Sequence, residues 1–195
     1  MKLTASDLLS LEQYARERSA LRARMIEHRR LRQLRIGEHC SWSFEDRDTV
    51  RYQVQEMLRA ERIFEPEGIA EELDAYNPLI PDGRNLKATL LIEYDDAAER
   101  LERLAELRGF ERHCWMRVAG FEPSYAIADE DLERENETKT SAVHFLRFEF
   151  TEQMLAALRA GSALAAGVDH PLYCHSIDPI PQPLREALLA DFNWN

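Results

Sequence analysis

The sequence predicts an α+β fold: a mixed or antiparallel sheet of about five to six strands with helices packed mainly on one face, preceded by a long N-terminal helix. Three observations carry this reading. Short stretches alternate apolar and polar residues, as in Cys40-Ser-Trp-Ser-Phe44 and in SAVHFLRFEF from Ser141. Helical patterns fall between them without a steady βαβ rhythm, which disfavours a parallel sheet covered on both sides. The first thirty-odd residues hold one long helical pattern with its own start and stop signals.

Taken in order, ASDLLS (residues 5–10) reads as a short helical turn, with Ser10 placed to cap the long helix and Gln13 completing a capping box. That helix is expected to run to about Leu34 and to stop at Gly37. A strand over EHCSWSFED follows. Asp46 or Asp48 then caps a helix spanning TVRYQVQEMLRAERIF. Pro66 opens another helix, EPEGIAEELDAY, and NPLIPDGRN is a punctuated loop. LKATLLIEY is a strand, and DDAAERLERLAELRG is a helix capped by aspartates and ended by Gly109. HCWMRVAGFEPSYAIA is a hairpin or bent pair, and DEDLERENETKT an exposed polar stretch. SAVHFLRFEF is a strong strand, TEQMLAALRAG a helix between Thr151 and Gly161, SALAAGVDHPLYCHSI the last strand, and QPLREALLADF a closing helix. Residues 1–195 are expected to form a single domain, with 5–35 an Arg-rich helical N-terminal segment.

A chain of 195 residues with 45% hydrophobic content can bury a continuous core. No run approaches the ~20 apolar residues of a membrane span, and the N-terminus turns charged where a signal peptide would stay apolar. A cytoplasmic protein with no membrane contact is expected. Cys40, Cys114 and Cys174 are far apart in sequence and form no C-x-x-C pair, so they indicate neither a disulfide framework nor a thiolate zinc site. The net charge of −11 argues against nucleic acid. Residues 16–35 run against that total: eight arginines against Glu17 and Glu27 give +6 and leave −17 for the remainder. Arg18, Arg22 and Arg29 interrupt the apolar stripe of this helix, which is therefore expected to lie on a surface. It would dock an acidic partner, or the acidic DEDLERENE of the same or another subunit.

Three polar groups invite chemistry. Glu61 falls in the same arc as Val50, Val54, Met57 and Phe64, so its carboxylate is expected to need a partner. His144 shares its strand face with Ala142, Leu146 and Phe148, and GVDHPLYCH places Asp169, His170, Tyr173 and His175 at a strand end. Glu61, His144, His170 and Asp169 together have the donor types of an iron, manganese or zinc site. Asp74, Tyr76 and Asn77, at the start of the prolyl loop, form with Tyr173 the candidate lining of a small-molecule pocket. The glycine-rich nucleotide signatures and the G-x-S-x-G elbow are absent.

The runs FEDRDTVRYQVQEMLRAERIFEPEGI, ELDAYNPLIPDG, YAIADEDLERENETKTSAVHFLRFEF and GVDHPLY resemble a family of bacterial and archaeal proteins of unknown function. The resemblance covers roughly residues 1–178. It brings no established catalytic residue. It implies a genomic setting beside rubrerythrin and an iron–sulfur oxidoreductase, and so a link to peroxide defence or iron redox metabolism. The function expected is an accessory or interaction protein of such a system, acting as a homo-oligomer or with one of those redox proteins. A Glu/His metal site and a small-molecule pocket are the alternatives.

Overall fold

The computed structural model describes residues 2–130, 134 and 138–194. Of the acidic DEDLERENE stretch, 131–133 and 135–137 lie outside the described residues.

The first helix, α1 (Leu11–Arg30), starts where Ser10 Oγ accepts the Gln13 amide at 3.3 Å. Tyr14 is its one buried residue, while Leu21 and Met25 on the same side are half-buried. The helix stops at Arg30, short of the expected Leu34. The chain turns instead into the strand β1 (Gln33–Arg35), pairing antiparallel with β2 (Cys40–Glu45), Leu34 opposite Trp42. The cause is burial: Arg32, Leu34 and Ile36 are all wanted inside, and a strand with a turn at Gly37 delivers them.

Asp46 caps α2 (Arg47–Glu61) by accepting the Thr49 amide at 2.8 Å, and the Thr49 hydroxyl accepts the Asp46 amide in return. After α3 (Pro66–Tyr76), β3 (Asn85–Ile92) and α4 (Ala97–Glu106) follow. Then come β4 (Cys114–Val118), β5 (Ser124–Tyr125), β6 (Ile127–Ala128), β7 (Val143–Glu149) and α5 (Glu152–Arg159). The stretch read as one last strand is a hairpin of β8 (Leu164–His170) and β9 (Tyr173–Ile177), because Pro171 and Leu172 make its turn. α6 (Gln182–Leu189) closes the described fold.

The α+β class and antiparallel pairing hold, and the strands divide between two sheets. One has the order β1-β2-β3-β7-β6 and the other β5-β4-β8-β9. Their apolar faces join one core, in which Trp42 stacks on Phe148 at 5.1 Å, and which Leu90, Leu146, Met116, Leu164 and Val168 share. Leu104, Leu158, Leu184 and Leu188 add the apolar sides of α4, α5 and α6. A second cluster, Leu3, Val50, Val54, Leu58, Leu73 and Ile80, lies beneath the first three helices. The helices at the N-terminal end thus have a core of their own.

One ionic network joins these layers. Arg32, 2% exposed, donates to the carbonyls of Phe44 (3.1 Å), Ala187 (3.1 Å) and Glu45 (3.3 Å) and to the Asp191 carboxylate, with Asp46 at 3.4 Å. His28 reaches the same Asp46 at 2.6 Å. The end of α1, the cap of α2 and the end of α6 are therefore held by one guanidinium.

Candidate functional site

The contact of α1 with α2 is polar at its centre. The Glu56 carboxylate accepts from Tyr14 Oη at 2.5 Å and from Arg18 Nε and Nη2, both at 2.7 Å. The Arg18 fork and the Tyr14 hydroxyl outweigh partial burial and hold the Glu56 carboxyl at about 2. Arg29 lies over the Tyr52 ring at 5.7 Å. Of the three docking arginines named from sequence, Arg18 and Arg29 thus serve the α1–α2 contact, and Arg22 remains turned to solvent. Arg16, Arg22 and Arg24 have no ion pair among the described residues, and Ile26 and Leu31 are exposed apolar neighbours. An open groove of about 430 Å³ separates the helices, with Leu21, Met25 and Tyr52 along it.

Glu61 is not in an apolar interior. It is the last residue of α2, where Arg62 turns left-handed (φ 56°), and it is exposed. The inward set of α2 is Thr49, Val50, Val54, Gln55 and Leu58; Glu61 shares the direction of Val50 and Val54 but stands at the end of the helix, beyond its last buried residue. Gln55 spends its amide on Leu9, accepting the amide at 2.9 Å and donating to the carbonyl at 3.1 Å. Phe64, expected beside Glu61 in the interior, is exposed as well. Glu61 is instead a neighbour of Glu71 and Glu72. Partial burial and the charges of Glu61 and Glu71 push the Glu72 carboxyl above its ordinary range, and Glu72 Oε2 is buried without a hydrogen-bond partner.

His144 is fully buried, as its strand face requires, and its partners are local. Nδ1 lies 2.6 Å from Asp129 Oδ2, and Nε2 lies 2.9 Å from Thr140 Oγ1 and 3.0 Å from the Ser141 carbonyl oxygen. Asp129 adopts φ 51°, and its other oxygen accepts the Phe145 amide at 3.0 Å. Both imidazole nitrogens are occupied in holding the entry to β7. His170 is similarly satisfied: Nε2 donates to the Arg108 carbonyl at 3.3 Å and Nδ1 accepts the Leu172 amide at 3.2 Å. That pattern is the neutral ring, and burial accordingly lowers its pKa.

Asp169 points to the opposite side of β8 from His170. Its carboxylate takes His113 Nδ1 at 3.0 Å and the Tyr125 hydroxyl at 2.5 Å. Burial acts to raise its pKa, but these two partners outweigh it and the net shift is downward. The His113 ring is 40% exposed, and it meets the His170 ring edge-on at 5.2 Å between centroids. Cys174 lies across from Asp169 in the β8–β9 ladder and is exposed. Neither His113 nor Tyr125 was named from the sequence. A histidine at a strand entry and a tyrosine at a strand end acquire meaning only once the two strands pair.

The proposed pocket residues also separate. Asn77 donates from its amide to the Leu3 carbonyl at 3.0 Å and accepts the Leu3 amide at 2.7 Å, pinning the N-terminus. Tyr76 packs on the helical core, and Asp74 is exposed. Tyr173 lines a different cleft, about 350 Å³, with His39, Tyr94 and His175 and with Glu38, Glu99 and Arg103 at its rim. There Tyr173 Oη donates to the Ile36 carbonyl at 2.7 Å and accepts the His39 amide at 3.0 Å. The His39 ring stacks on Tyr94 at 4.0 Å, with Nδ1 donating to the Glu93 carbonyl. Among the described residues no group of three or more His, Cys, Asp or Glu side chains is placed to hold a metal ion. Glu61, His144, His170 and Asp169 do not form one site.

A family model described as protein of unknown function, DUF3501, matches residues 2–192. The chain belongs to this family. A DUF3501 relative of known structure is a protein from Burkholderia pseudomallei K96243, described as a novel protein of unknown function. It is 50% identical with a TM-score of 0.91, and the alignment covers 99% of this chain and 100% of that one. The DUF3501 chain matches no curated protein. No helix among the described residues is long and apolar enough to cross a membrane.

Proposed function

We propose that this DUF3501 protein is an accessory interaction protein that docks an acidic protein surface through α1. The observation that carries this reading is the set Arg16, Arg22 and Arg24, guanidiniums without an ion pair among the described residues, on a helix with six arginines against Glu12, Glu17 and Glu27, a net of +3, in an otherwise acidic chain. Guanidiniums on a rigid helix suit carboxylate partners because each presents a planar fork. Surface charge of this kind speeds encounter and selects the partner more than it adds affinity. The family resemblance supplies the partner class, rubrerythrin or the iron–sulfur oxidoreductase, and with it a role in peroxide defence or iron redox metabolism in the cytoplasm.

The test is capture of purified rubrerythrin and of its iron–sulfur reductase by immobilised wild type and by the R16E/R22E/R24E variant, at low and high salt. Capture that is lost in the variant and in high salt supports the reading. Equal capture by both proteins, or no capture at low salt, overturns it.

A further inference from the structure

The cleft beside Tyr173 draws on both sheets. The β1–β2 turn supplies Glu38 and His39, the exit of β3 supplies Tyr94, and the β8–β9 hairpin supplies Leu172, Tyr173 and His175. α4 adds Glu99, Arg103 and Glu106. No residue of α1 lines it, so it is separate from the docking reading of that helix. Its volume of about 350 Å³ suits a small molecule. The frame is fixed from behind: Tyr173 spends its hydroxyl on Ile36 and His39, and Gly37 leaves no room for a side chain against Tyr173 and His175. Arg100 Nη1 donates to the Tyr94 carbonyl at 3.0 Å and ties that residue to α4.

Tyr94 is 8% exposed, yet its hydroxyl has no hydrogen-bond partner among the described residues. Burial pushes the phenol above its ordinary range, and the charges of Arg103, Glu99 and Glu106 act on it, so the hydroxyl end is the one turned toward the α4 side of the cleft. Buried hydroxyls are ordinarily bonded, which leaves this one open to a ligand. Rings form the wall around it: His39 stacks on Tyr94 at 4.0 Å, and His175 meets Tyr173 edge-on at 4.6 Å. Leu172, 63% exposed, adds an apolar edge. The charge of the cleft is negative. Arg103 is shared between Glu106 at 3.0 Å and Glu99 at 3.9 Å, and Glu38 is a third carboxylate, a net of −2.

We propose that this cleft binds a small organic cation, an ammonium carried on an apolar or aromatic body. The body lies against Tyr173, His175 and Leu172, and the ammonium meets the Tyr94 hydroxyl and the carboxylates of Glu99 and Glu38. An ammonium gains from aromatic rings as well as from carboxylates, so the wall and the rim favour the same charge. An anion would face the excess of carboxylates, and the one guanidinium is already held by Glu99 and Glu106. A neutral molecule of the same shape keeps the contacts of the body and loses those of the charge, so charge decides between ligands of one size.

The experiment is titration of the full isotope-labelled chain, followed by its amide resonances. The probes are phenethylamine and choline, with phenethyl alcohol and hydrocinnamate as the neutral and anionic counterparts of the first. At millimolar concentration at least one of the two amines shifts the amides of Glu38, His39, Tyr94 and Leu172 to His175 saturably. Phenethyl alcohol binds about tenfold more weakly than phenethylamine, and hydrocinnamate does not bind. Tyr94→Phe keeps its melting temperature, because the hydroxyl it loses bonds nothing in the chain, yet it binds the amine about tenfold more weakly. E38Q/E99Q weakens the amine and leaves the alcohol as it was. Binding of neither amine, shifts that fall elsewhere, or alcohol or hydrocinnamate binding as tight as that of the amine overturns the proposal. So does amine binding that is unchanged in either variant, and so does a Y94F protein that melts well below wild type, which would assign the hydroxyl to the fold.

Discussion

Replacing Arg32 by Met tests the network that holds the helical end to the sandwich. The guanidinium is 2% exposed and contacts two carboxylates and three backbone carbonyls. Methionine keeps most of the volume but leaves Asp191 and Asp46 buried with their cation gone. Breaking a buried pair by removing one partner costs about 3–5 kcal/mol. For a chain of this size that is a fall in Tm of about 6–20 °C. The loss should depend on pH. Burial pushes the Asp191 carboxyl up to about 6, even with Arg32 opposing it. A raised pKa means the protonated form is favoured in the folded state. The stability tied to this group is then whole below its ordinary value of 3.8 and is lost as pH rises through about 6. Without Arg32 that loss deepens, so wild type and variant should lie closer in acid than at neutral pH. Urea unfolding across that range measures the gap, and R32M/D191N should recover most of it by removing the stranded charge. An R32M protein within about 1 kcal/mol of wild type at neutral pH, or a gap that ignores pH, would refute the reasoning.

Further outcomes follow from single contacts. Gly37→Ala should destabilise by about 2 kcal/mol or more, since alanine resists the left-handed turn there. The new Cβ would also stand 2.4 Å from Tyr173 Oη. Thermal melts of G37A and G37A/Y173F check this, the second recovering the part due to the clash. His144→Phe should lower stability by about 2–4 kcal/mol in urea unfolding, because Asp129 and Thr140 lose their shared partner in the interior. Asp169→Asn should lower the ionisation midpoint of Tyr125, which the bond to Asp169 holds above the ordinary tyrosine value. Ultraviolet titration with Y125F as the reference reads it. Gly167→Ala should shift Trp115 fluorescence, since a Cβ there would fall 2.4 Å from the indole ring.

What was legible in the sequence was whatever depends on neighbours along the chain. Ser10, Asp46, Thr151 and Gly161 act where their residue types say they should, and the alternation around His144 gives its burial correctly. What failed depended on the other side of a contact. Glu61 was placed inside because Val50, Val54 and Phe64 share its arc, yet α2 ends at Glu61, and no periodicity shows a helix stopping. Once the helix ends, the Phe64 that made the arc look continuous belongs to a turn and faces water. His144 was assigned a distant claimant, and its carboxylate proved to be Asp129, delivered by the pairing of β6 with β7. The same principle governs the arginines of α1. Sequence spacing set Arg18, Arg22 and Arg29 together, but Glu56 and Tyr52 on the facing helix claim two of them. The charge left over on α1 is smaller than the composition suggested, and it is more specific, because Arg16, Arg22 and Arg24 now have defined positions against which a partner's carboxylates can be sought.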